Sequence, residues 1–120
     1  MTQWDGFYAS FMSGSEGQGF AMFVFANGRI VGADPLGTQF DGSYESKNDG
    51  GIKGSITVRV PSGQMVVQGA SAGPTGMSYE VGIDFEPSAF DLDFIQLPTP
   101  LGPVNVKMQK LRDLGTLSEA

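Results

Sequence analysis

The sequence predicts an all-β fold, an eight-stranded up-and-down antiparallel barrel, and three observations carry that expectation. Apolar residues recur at period two rather than at helical spacing, most cleanly where Ile52, Gly54, Ile56, Val58 and Val60 alternate with Lys53, Ser55, Thr57 and Arg59. Most of the eighteen glycines and all seven prolines fall between these runs, and a hydrophobic content of 40% argues for short strands joined by turns rather than for disorder. Several short strands must also hide their edges, which closure into a barrel does most simply. A chain of 120 residues is large enough for one core and needs no second domain. The barrel is assigned to 1–111, with a polar tail at 112–120 that frays.

Taken in order, a first strand is expected over 4–12, with Trp4, Tyr8 and Met12 on one face, Phe7 and Phe11 on the other, and a bend at Gly6. The glycine-rich run 13–19 is not followed by the Gly-Lys-Ser/Thr opening of a helix that a phosphate loop needs, so it reads as a turn. A hairpin spans 18–34, turning at Asn27-Gly28, the dipeptide best suited to two successive positive φ angles. Its first arm is apolar on both faces, Phe20, Met22 and Val24 on one and Ala21, Phe23 and Phe25 on the other. The second set is taken as the outward face, to be covered by a two-fold homodimer contact or by the proline-rich segment 87–102 of the same chain.

After a turn at Asp34-Pro35-Leu36-Gly37, a strand over 38–45 turns Phe40, Gly42 and Tyr44 inward. The Asn48-Asp49-Gly50-Gly51 turn leads to the strand over 52–60, and Pro61-Ser62-Gly63 to a further strand over 64–69. Tyr79, Val81, Ile83 and Phe85 then alternate with Glu80, Gly82, Asp84 and Glu86. The segment 87–102 is a connection in which 94–97 pairs briefly or forms a short cover. The last strand carries Val104, Val106 and Met108 against Asn105, Lys107 and Gln109.

Cysteine and histidine are both absent, which removes thiol and Ser-His catalysis, disulfides and the usual zinc sites. The carboxylates two apart, Asp84 with Glu86 and Asp91 with Asp93, are read as solvated surface and polar connection, so no metal or cofactor is expected. Asp5 and Asp41 each precede a glycine at a bend and are read as bonding the local backbone. A net charge of −6 with no basic stripe disfavours nucleic acid and favours basic protein partners. No membrane-spanning run or leader is read, and the chain is expected to be soluble and cytoplasmic. Trp4, Tyr8, Phe40 and Tyr44 either line a cavity for a small lipophilic ligand or fill the core.

The blocks Trp4-Asp5-Gly6-Phe7-Tyr8, the glycine loop, Asn27-Gly28-Arg29-Ile30 with Gly32 and Asp34, and Asp41-Gly42-Ser43-Tyr44 together resemble the GrlR-like family. The likeness runs over roughly the first half of the chain, and Gly102 to Leu114 resembles the last strand of uncharacterised relatives. The resemblance implies a lipocalin-like barrel without catalytic activity, dimeric in the namesake. There it acts as a negative regulator of type III secretion genes by holding a transcriptional activator off DNA. An acidic surface run makes that contact in the namesake. The matching place here is Ser46-Lys47-Asn48-Asp49, which makes Lys47, Asn48 and Asp49 the expected partner-binding loop.

Overall fold

A computed structural model describes residues 3–115 and places the backbone in a nearly closed barrel of eight antiparallel strands. The strands are β1 (Gly6–Gly14), β2 (Gly17–Ala26), β3 (Arg29–Ala33), β4 (Gln39–Ser46), β5 (Ile52–Val60), β6 (Met77–Phe85), β7 (Ile95–Leu97) and β8 (Val104–Arg112). Their order around the sheet is β6-β5-β4-β3-β2-β1-β8-β7. Hairpins join all neighbours from β1 to β6. The chain then passes through one 3₁₀ turn, Ala89–Asp91, to the opposite edge, so the barrel's seam lies between β6 and β7.

Asn27 and Gly28 both have positive φ, 50° and 84°, as a two-residue hairpin demands. That turn sets the faces of β2. It pairs Ala26 with Arg29 and Phe25 with Ile30, and because Arg29 is exposed and Ile30 fully buried, Phe25, Phe23 and Ala21 point inward. The expected dimer face of Ala21, Phe23 and Phe25 is therefore core, at 0%, 7% and 2% exposure. The outward face of β2 is the other set, Phe20, Met22 and Val24. Gly32 on β3 sits opposite Phe23 and leaves room for its ring, where a Cβ would stand 2.5 Å from a ring carbon.

Two further expectations change. The segment 64–69 is not a strand; it belongs to a folded loop over 61–76 whose only ladder contact is an isolated bridge between Met65 and Ser71. The eighth strand is instead the brief pairing at β7, against Val104, Asn105 and Val106 of β8. Of the tail at 112–120, Arg112 ends β8, Asp113 pairs with Lys110 at 2.6 Å, and 116–120 lie outside the described residues.

One end of the barrel is shut by an aromatic plug. Phe90, from the 3₁₀ turn, stands edge-on to Trp4, Tyr8, Phe25 and Phe85, with ring centroids 4.9 to 6.1 Å away. Asp5, 2% exposed, ties the plug to the hairpins: it accepts from the Tyr44 hydroxyl at 2.5 Å and from the Asn27 N–H at 3.4 Å. These two bonds reach across the fold. Asp41, its sequence analogue, forms an exposed ion pair with Arg59 at 2.5 Å.

Asp5→Ala strands a buried hydroxyl and a buried-side turn, so urea unfolding should show a loss of about 3 kcal/mol. Asp41→Ala breaks only an exposed pair and should cost under about 1 kcal/mol. Equal losses from the two would show that the buried carboxylate does not anchor the plug.

Candidate binding cavity

The inward faces of β4, β5 and β6 alternate as the sequence dictates, bringing Phe40, Val58, Val81 and Ile83 around the barrel axis. Val104, Val106 and Met108 face them from β8, and Ile95 and Leu97 come from β7. Phe23 and Phe25 complete the wall from β2. Between this wall and the plug lies a cavity of about 170 Å³. An apolar space of about this size is enough for a benzene-sized guest.

The loop 61–76 covers the end opposite the plug. Val66 and Val67 dip toward the core, while Met65 stays exposed. The loop is held by few bonds. The Glu16 N–H donates to the Val67 carbonyl at 3.1 Å, and the Ser15 hydroxyl donates to the Gln68 carbonyl at 3.1 Å. The Gln68 amide donates to Thr99 Oγ1 at 3.1 Å and, more weakly, to Tyr79 Oη at 3.5 Å. In the sequence the apolar run Met65-Val66-Val67 imitates a strand, and the flanking Pro61-Ser62-Gly63 and Gly69 are the signal that the segment turns back on itself.

Of the four residues expected at a cavity, only Phe40 lines this one. Trp4, Tyr8 and Tyr44 belong to the plug instead. Trp4 Nε1 donates to the Gly50 carbonyl at 3.0 Å, and the Tyr8 hydroxyl donates to the Trp4 carbonyl at 2.6 Å. Trp4 and Tyr8 also border a wider groove beside Phe90 and Lys110, more open to solvent and far less apolar than the barrel interior.

The expected partner-binding loop is a tight turn with its polar groups largely committed. Lys47 binds Asp84 at 2.6 Å, and the Asp49 carboxylate accepts from the Gly51 N–H at 2.9 Å; Asn48 is exposed. Hydrogen bonding to Lys47 holds the Asp84 carboxyl below its ordinary range and raises Lys47 in turn. Among the described residues no cluster of three acidic side chains could hold a metal ion, and no helix is long and apolar enough to cross a membrane.

No family model, no curated protein and no solved structure matches this chain.

Burial, followed by the charges of Tyr44 and Asp5, pushes the Tyr8 phenol far above its ordinary value. Burial also raises Tyr79, against the opposing effect of the Gln68 hydrogen bond. Both phenols hold their protons in the folded state at pH values where the unfolded chain has lost them. Their stabilisation is thus complete below about pH 10 and is lost as pH rises through the folded values. The urea midpoint should be flat from about pH 8 to 9 and fall above about pH 10, and Tyr8→Phe should make that fall shallower. An identical alkaline slope in the variant would contradict the burial of this phenol.

Proposed function

We propose that this chain is a non-enzymatic binding protein that carries or senses one small apolar molecule inside its barrel. The observation that carries the reading is the cavity itself, walled by aromatic and branched aliphatic side chains, shut at one end and covered at the other by a loop with few tethers. A simple core would have filled that space, since a void of this size forfeits packing energy. Toluene is a fitting probe: at millimolar concentration it should raise the melting temperature in proportion to site occupancy. Val81→Phe, which fills the cavity from β6, should abolish that rise while the protein stays folded. No thermal shift in the wild type up to toluene saturation would refute the reading.

A second observation favours a second, compatible reading. The outer face of β1, β2 and β3 is an apolar stripe in which Phe11 lies opposite Phe20, Phe7 opposite Val24 and Val24 opposite Val31. Phe11 is 48% exposed, Phe20 37% and Met22 39%, and the Phe11 and Phe20 rings touch with centroids 5.4 Å apart. Such a contiguous patch suits a protein partner. We assign it to a second copy of the chain, replacing the Ala21, Phe23 and Phe25 face. On this reading the barrel is a cytoplasmic regulator that works by protein–protein binding, as the GrlR-like resemblance implies, with a transcriptional activator as the partner class. The tight turn at Lys47 to Asp49 lacks the acidic density of the namesake and contributes little to it. Sedimentation should give a dimer at micromolar concentration and a monomer for the Phe11→Glu, Phe20→Glu double variant; a monomeric wild type refutes the two-fold contact.

A further inference from the structure

The inward face of β1 carries Tyr8, Ser10 and Met12, and Ser10 stands on the cavity wall between Ala21 of β2 and Met108 of β8. Its side chain is fully buried, and its hydroxyl makes no hydrogen bond; among the described residues it is the one buried side-chain polar atom left in that state. An alanine would fit the same space without the penalty of an unmet polar group. Every other polar side chain that closes the barrel is satisfied: Asp5 and Tyr44 by each other, Tyr8 by the Trp4 carbonyl, Gln68 by Thr99. The exception lies in the cavity wall, covered by its neighbours.

We propose that Ser10 is a specificity-determining residue, and that the guest is a compact aromatic or aliphatic molecule carrying one hydroxyl, of which phenol is the simplest representative. The inference rests on the cavity reading above and adds the chemistry of its occupant. The volume limits the guest to about six to ten non-hydrogen atoms, given that about 150 Å³ accommodates benzene. Next to Ser10 the wall is apolar, formed by Met12 and Met108, so at that point its neutral hydroxyl suits one alcohol or phenol oxygen, while the polar side chains that also line the cavity, among them Asp34, Gln68, Tyr79 and Thr99, belong to other strands and loops. Met12 and Met108 flank Ser10 on the wall, and their flexible thioether side chains can yield to a guest reaching the hydroxyl.

The test compares phenol with toluene, which share a ring and differ in one polar group, by calorimetric titration of the full chain. Replacing Ser10 by alanine should shift the ratio of phenol to toluene affinity about ten-fold toward toluene, the worth of one buried hydrogen bond. Ser10→Cys, close in size but a weak donor, should move the ratio in the same direction. The ligand-free Ser10→Ala protein should melt higher than the wild type, because an unmet buried hydroxyl is removed. A ratio unchanged in both variants overturns the role of Ser10 while leaving the cavity reading intact, provided toluene still binds. Binding of neither probe to the wild type overturns both. A lower melting point in Ser10→Ala would show that the hydroxyl is already satisfied and would likewise refute the assignment.

Discussion

The buried carboxylate of Asp5 is the constraint on which the shut end of the barrel depends. A carboxyl group at 2% exposure is tolerated only when its polar atoms are partnered, and here they draw the Tyr44 hydroxyl of β4 and the Asn27 N–H of the β2–β3 turn to one point. The plug forms on this tether. Trp4, next in sequence, reaches the carbonyl of Gly50 in the β4–β5 turn, and Tyr8 caps the Trp4 carbonyl. With these turns fixed, Phe90 has a preformed aromatic socket to enter, and the crossover from β6 to β7 is pinned at its middle. A barrel whose seam lacks a β6–β7 ladder needs such a pin, because hydrogen bonding alone does not close it.

The strands were legible where one face is wet. β5 and β6 alternate cleanly, and the structure turns Ile52, Val58, Val60, Val81, Ile83 and Phe85 inward as their periodicity requires. β2 was ambiguous for a physical reason: both faces are apolar, one for the core and one for the outer stripe, so alternation carried no polarity. The missing information lay one residue past the turn, in Arg29, whose charge fixes Ala26 and hence Phe20, Met22 and Val24 on the outside. β7, at three residues, is too short to leave a pattern, and the loop 61–76 imitated the strand that β7 replaces. The cavity residues were only partly legible. Trp4, Tyr8 and Tyr44 are aromatics with a polar tip, and each tip found a backbone or carboxylate partner at the shut end rather than a place on an apolar wall.

The outer stripe and the cavity make separate demands on β1 and β2. Phe11 and Phe20 form a cross-strand aromatic pair on the outside, while Ser10 and Ala21, one residue away on each strand, form a small-residue pair on the inside. Large residues outward and small residues inward invert the usual arrangement of a β-barrel with one wet face. Small inward side chains at this level are what leaves space above the plug, and large outward ones are what a surface contact requires. One hairpin thus serves both features through the alternation of its side chains.

The two ends of the barrel differ in what it costs to open them. Breaking into the plug exposes a buried carboxylate and separates Phe90 from four aromatic neighbours, a disruption comparable with the stability of the whole fold. Releasing the 61–76 loop breaks neutral bonds at Glu16, Ser15 and Gln68, each worth about 1 kcal/mol net, and exposes the half-buried Val66 and Val67. Openings of a few kcal/mol are populated within the native ensemble, whereas openings near the global stability are unfolding. On the proposed binding reading, the lower cost of opening puts the route to Ser10 on the loop side, past Gln68, Thr99 and Tyr79.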